Sequence, residues 1–129
     1  MLAAFVDPAQ LSNWWGPAGF SVPSADLDVR EGGQYRIKMQ PPGGDPFYAY
    51  GEYRDVDPPG RLAYTFNWDP PTPDDQETLV ALSFQPIGEG TRVIVDHGPF
   101  KTHERYELHE AGWEDTLDRL DVWVAHQPA

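Results

Sequence analysis

The chain has 129 residues, with 21 acidic against 9 basic side chains, a formal net charge of −12, 40% apolar and 13% aromatic content, and no cysteine. So acidic a chain has no basic stripe to displace counterions from phosphates, which excludes nucleic acid as a partner, and anionic lipid headgroups would repel it. Without cysteine there is no disulfide framework and no thiolate chemistry. No basic-then-apolar opening reads as a signal peptide and no apolar run approaches the ~20 residues that span a bilayer, so the expected compartment is the cytoplasm.

Length and patterning fit a single domain over residues 1–129. Fourteen prolines and twelve glycines predict many turns and short strands. In chain order, "MLAAFVDPAQLSNWW" reads as helix. Leu2, Phe5 and Val6 share a face, Asp7-Pro8 restarts the winding, and Leu11, Trp14 and Trp15 fall at i, i+3 and i+4 before Gly16-Pro17 stops it. Neighbours on a helix point about 100° apart, so the two tryptophans cannot face one cavity equally. One belongs to the core, and the other to the lip of a cavity or to a stopper.

From residue 24 the period changes to two. Leu27 and Val29 alternate with Asp26, Asp28 and Arg30. After the Gly32-Gly33 turn, Tyr35, Ile37 and Met39 alternate with Arg36 and Lys38. "FYAYGEYRDV" is a further strand whose inward face is ambiguous, leaving Glu52 a candidate to face inward. "DPPG" leads into Leu62, Tyr64, Phe66 and Trp68, and the acidic, proline-rich "DPPTPDDQE" reads as a solvated loop. "TLVALSFQ" and "TRVIVDH" form a hairpin around "PIGEG", with Val93, Val95 and His97 on one side and Arg92, Ile94 and Asp96 on the other. Residues 103–126 form the strongest helix. Its stripe is Tyr106, Trp113, Leu117, Leu120 and Val124, with Thr102 as N-cap and Pro128 beyond the end. Gly112 inside that helix predicts a close approach to the sheet.

The pattern is α+β: a short helix, an antiparallel meander and a long final helix whose stripe covers the aromatic face of the sheet. Patterning alone leaves open whether that space is a filled core or a cavity. Histidine spacing gives no metal site, since His103 and His109 lie six apart on different helical faces and Asp96-His97 point oppositely along a strand. His97 faces inward by parity, as a hydrogen-bonded core residue, a polar anchor for a ligand or a general acid/base. There is no Gly-x-Ser-x-Gly and no phosphate-binding glycine loop.

"DPAQLSNWWGP", "DVREGG", "GEYRDVDPPGRLAYTFNW", "GTRVIVDHGPF" and "HEAGWEDTLDRLDVW" resemble, in order, segments of the AHSA family (activator of heat-shock-protein ATPase homologue) in the SRPBCC/START superfamily. The resemblance implies a helix-grip fold, a curved antiparallel sheet wrapped on the C-terminal helix. It also implies a cavity between them for a small apolar or aromatic ligand; no cofactor is expected. The ligand-facing residues it implies are Trp15, Tyr35, Ile37, Met39, Tyr64, Phe66, Trp68, Leu82, Phe84, Val95, His97, Trp113 and Leu117. Members of the family open with a strand that has no counterpart here, which would leave two sheet edges unpaired; a homodimer covering the gap is one expectation. Two further readings stand beside the binder: a regulator of a heat-shock chaperone acting by protein contact, and a cyclase- or hydrolase-like enzyme using His97 or Glu52 in the same cavity.

Overall fold

The computed structural model describes residues 2–16, 19–57, 60–71, 73–88 and 90–125, with only the backbone at Leu2 and Ala3. Pro17, the Pro58-Pro59 part of the predicted turn, Glu89, Pro128 and the facing of Leu2 lie outside the described residues. Two short helices, α1 (Leu2–Val6) and α2 (Pro8–Leu11), lead into strands β1 (Ser21–Leu27), β2 (Gln34–Gln40), β3 (Phe47–Asp57), β4 (Arg61–Asp69), β5 (Thr78–Ile87) and β6 (Gly90–Gly98). Helix α3 (His103–Ala125) follows. The strands form one antiparallel meander in the order β1-β2-β3-β4-β5-β6, curled into a half-barrel around α3. This is the helix-grip architecture.

The local chemistry follows the residues. Asp7 caps α2 by accepting from the Ala9 N–H at 3.0 Å, and Pro8 fills a first-turn position where no N–H is needed. The predicted helix was longer than the one that forms. Regular winding ends at Leu11 and a turn carries the chain onward, with Trp14 and Trp15 both donating their backbone N–H to the Leu11 carbonyl. In the 28–33 turn Gly32 takes φ +82°, and a Cβ on Gly33 would lie 2.0 Å from the Asp28 carbonyl oxygen. Glycine is required at both positions. Strand β1 begins at Ser21, three residues earlier than its alternation suggests, with an irregular register between Ser21 and Ser24 beside Pro23.

The core sits at one end, between the inner sheet face and the N-terminal helices. Trp14 is fully buried, with Phe5 4.7 Å away in an edge-on contact and Phe5 in turn 5.2 Å from Phe84. Leu62, Val80 and Leu82 are buried beside them. On α3 the buried and half-buried positions are Arg105, His109, Gly112, Trp113, Thr116, Leu117, Arg119, Leu120 and Trp123. Tyr106 and Val124, expected in this stripe, are exposed. Eighteen residues are five full turns, so both lie on the line of the stripe; they are exposed because they sit near the two ends of α3. Tyr106 donates its phenol to Glu110 on the outer surface at 2.7 Å.

Gly51 on β3 faces Tyr35 on β2, and this bare position lets the Tyr35 phenol reach across to donate to the Thr65 carbonyl at 2.6 Å. A Cβ at residue 51 would lie 2.0 Å from that same carbonyl oxygen. Thr65 Oγ1 also accepts the Glu52 N–H at 2.8 Å, so the β3–β4 seam is held by side chains where the ladder lapses. Gly51→Ala is therefore expected to destabilise by about 1–3 kcal/mol in urea unfolding, as overpacking does. Gly90→Ala, where the added carbon would lie 3.7 Å from the Ile87 carbonyl oxygen, should be nearly neutral. Equal midpoints for the two variants would show that the seam tolerates a side chain.

Candidate functional site

Between the inner sheet face and α3, away from the Trp14 core, lies a cavity of about 490 Å³. Its walls are aromatic. Trp15 closes it from the turn after α2, Phe20 from just before β1, Phe47 from the start of β3, Phe66 and Trp68 from β4, and Trp113 from the helix. The rings meet edge to face: Trp15 to Trp113 at 5.9 Å, Phe20 to Phe47 at 5.9 Å, Phe47 to Trp68 at 5.3 Å, Phe66 to Trp68 at 4.9 Å. Such contacts fix ring orientation as well as bury area.

Two hydrogen bonds join helix and sheet across this space, and they are crossed. Trp113 on α3 donates its indole N–H to His97 Nδ1 on β6 at 2.9 Å, while Trp68 on β4 donates to His109 Nε2 on α3 at 2.8 Å. An indole can only donate, so each imidazole must present a lone pair there and carry its proton on the other nitrogen. His97 then donates from Nε2 to Thr78 Oγ1 at 2.7 Å, and the Thr78 hydroxyl donates on to the Phe66 carbonyl at 3.3 Å. His109 donates from Nδ1 to the Arg105 carbonyl at 2.7 Å. Both rings are neutral, with both nitrogens engaged. Burial lowers the His97 pKa to about 3, with His109 adding to the effect, and burial also lowers that of His109.

The cavity is bounded by pinned segments. Arg119 donates to the Trp15 and Gly16 carbonyls at 3.1 and 2.9 Å, tying α3 to the turn that carries the tryptophan pair. At the other end Arg105 pairs with Asp75 at 2.5 Å, their side chains only 19% and 9% exposed. Lys101 donates to the Pro73 carbonyl at 2.9 Å and Gln76 to the Pro99 carbonyl at 2.8 Å. The acidic loop read as solvated thus carries one nearly buried carboxylate, because Asp75 meets a cation from the first turn of α3.

Of the ligand-facing residues named from the sequence, the cavity brings together Trp15, Met39, Phe66, Trp68, His97 and Trp113. Tyr35, Ile37 and Tyr64 lie deeper, around a void of about 10 Å³ with Phe5, Leu11 and Tyr53. There burial raises the phenol pKa values of Tyr35, Tyr53 and Tyr64 above the ordinary range. Leu82 and Phe84 are buried in the core, and Val95 and Leu117 pack against it half-buried. None of these seven lines the larger cavity. Alternation marked the inner face correctly at these positions but carries no information about where along a strand the helix lifts away.

Sequence reasoning missed Phe20, Phe47, Asp75, Arg105, His109 and Thr116 as lining residues. The available signal was helical spacing: His109, Trp113 and Thr116 fall at i, i+4 and i+7. Glu52 is not in the cavity; it shares the outer-face parity of Tyr50 and Arg54, and its carboxylate lies 3.6 Å from Arg54. Gly112 departs from expectation too. A Cβ there would meet nothing within 4 Å, so the glycine borders open cavity and not a tight helix–sheet contact.

Among the described residues, no three His, Cys, Asp or Glu side chains gather as metal ligands would, and no helix is long and apolar enough to cross a membrane. The family profile described as Activator of Hsp90 ATPase homolog 1-like protein matches residues 3–125. The chain belongs to this family. The crystal structure of the AHSA1 protein of Silicibacter pomeroyi is similar at 34% identity and a TM-score of 0.81, over 96% of this chain and 88% of that one. A Nitrosomonas europaea protein (24% identity, TM-score 0.82, 98% and 85% covered) and one from Rhodobacter sphaeroides (24%, 0.81, 98% and 84%) share the fold. A search of curated proteins gave no match.

Two outcomes follow from this geometry. Gly112→Ala is expected to stabilise by roughly 0.5–1 kcal/mol in chemical denaturation, because it removes the helical cost of glycine and its methyl enters free space; a loss of stability would mean the space is not there. The second concerns pH. The folded His97 pKa of about 3 lies below the unfolded value near 6.5, so the unfolded state binds more protons between the two. Stability is then full above about pH 6.5 and falls as pH drops towards 3. His97→Gln, which cannot protonate, should show a smaller fall in melting temperature from pH 7 to pH 4 than the native chain. Identical falls would remove His97 from the acid response.

Proposed function

We propose that the protein binds a small apolar or aromatic molecule in the cavity between the sheet and α3, without catalysing its conversion. The carrying observation is the cavity of about 490 Å³ with six aromatic side chains in its wall, a size and lining suited to an organic ligand. Hydrophobic burial supplies the affinity. Family membership supports the reading, since helix-grip proteins hold hydrophobic ligands at this place in the fold. The engaged histidine lone pairs favour binding over acid–base chemistry, because neither ring can take a substrate proton without releasing its tryptophan. The lack of cysteine supports a cytoplasmic setting.

A second reading, contact with a heat-shock chaperone, draws on the family description alone. The two are separated by titrating the protein with N-phenyl-1-naphthylamine, a neutral probe that fluoresces in apolar surroundings. The expected result is saturable binding at one site per chain, with thermal stabilisation of about 2.7 kcal/mol at a hundredfold excess over Kd. Gly112→Leu, whose side chain would occupy the cavity, should abolish binding while helical circular dichroism is retained. The proposal would be falsified if the probe failed to bind; stimulation of Hsp90 ATPase by the same sample would then favour the second reading.

A further inference from the structure

The polar rings that bridge sheet and helix across the cavity are spoken for. Trp68 and Trp113 use their indole N–H groups on the histidines, and both histidines use both nitrogens. Arg105 is different. A guanidinium carries five N–H donors in a planar fork, yet its side-chain hydrogen bonds among the described residues reduce to one, from Nη2 to Asp75. Its Nε–H is sealed off with no acceptor, and Nη1, which is not sealed, donates to none of the described residues and is the part of the fork a ligand can reach. Nor does the helix explain an arginine here: Arg105 lies in the first turn of α3, its N–H capped by Thr102 Oγ1 at 3.1 Å, where the helix dipole disfavours a cation.

Charge decides what this donor can serve. Asp75 already neutralises Arg105, and Asp45 is a further carboxylate on the cavity wall. A ligand carboxylate would add an uncompensated negative charge beside the nearly buried Asp75, in a chain of net charge −12. A ligand cation would face the guanidinium. A neutral oxygen does neither, and satisfies a donor that otherwise has no acceptor. We infer that the Arg105–Asp75 pair is the specificity element of the cavity, selecting neutral aromatic ligands that carry a carbonyl-type oxygen and rejecting the corresponding acids. Arg105 donates to that oxygen; Asp75 holds the guanidinium in place and cancels its charge. The inference rests on the proposed binding of an apolar ligand in this cavity.

Three molecules of one shape test it: 2-acetylnaphthalene, with a neutral acceptor; 2-ethylnaphthalene, with none; and 2-naphthoate, with an anionic one. Dissociation constants come from equilibrium dialysis against the full chain. The ketone is expected to bind about tenfold more tightly than the hydrocarbon, the scale of one hydrogen bond to a charged donor, and the acid most weakly. Replacing the pair by apolar residues, Arg105→Met with Asp75→Leu, should equalise ketone and hydrocarbon without weakening the hydrocarbon. Asp75→Asn alone leaves the arginine charge uncancelled and should strengthen 2-naphthoate binding at least tenfold. Should either variant fail to fold, the native ratios still decide. Equal binding of ketone and hydrocarbon overturns the inference and leaves the apolar-ligand reading intact, and tightest binding of the acid overturns the neutral-acceptor selection. If none of the three binds while N-phenyl-1-naphthylamine does, the inference fails alone; if that probe fails as well, the binding proposal fails with it.

Discussion

The two tryptophan–histidine hydrogen bonds set the distance between α3 and the sheet. Apolar contact is non-directional and closes whatever gap the side chains allow. A hydrogen bond between two ring nitrogens has a defined length, and here each one ends on a bulky ring at both sides. Placing one tryptophan on the helix and the other on the sheet, with a histidine opposite each, makes two struts of equal kind running in opposite directions. The helix is held near the sheet without settling on it at Gly112, where open space lies below the backbone.

The same bonds govern the chemistry of the interior. Four polar rings face one another, and each satisfies its neighbour, so a region that contains two imidazoles still presents a neutral and largely apolar wall. A buried imidazole with a free nitrogen would invite protonation or a metal; with a donor seated on its lone pair it does neither readily. Arg105, whose side chain spends one hydrogen bond on Asp75, keeps further donors unpaired at the cavity.

Family membership accounts for the half-barrel and its helix, but it does not account for these side chains. The fold provides a place between sheet and helix, and the residues that line it decide what the place admits. Arg105 with Asp75 at one end, and Arg119 against the Trp15 and Gly16 carbonyls at the other, also tie both loop-bearing ends of the cavity to a single helix. Movement of α3 would therefore reach both ends together.

The strands, their order, the α3 boundaries and the inner face of the sheet were legible from alternation, turn residues and capping signals, because these depend on neighbours one to four positions away. Thr102 and Asp7 act as caps for this reason, and Gly32-Gly33 makes its turn. The division of that inner face between core and cavity was not legible. Tyr35 and Ile37 alternate just as Met39 does, yet only Met39 reaches the cavity, since the outcome depends on how far α3 stands from each strand. That separation is set by pairs 16 and 41 residues apart, His97 with Trp113 and Trp68 with His109. Asp75 read as a solvated loop residue for the same reason: its partner lies 30 positions on. Local order follows from local composition, whereas the shape and charge of the site arise from contacts between residues that meet only once the chain has folded.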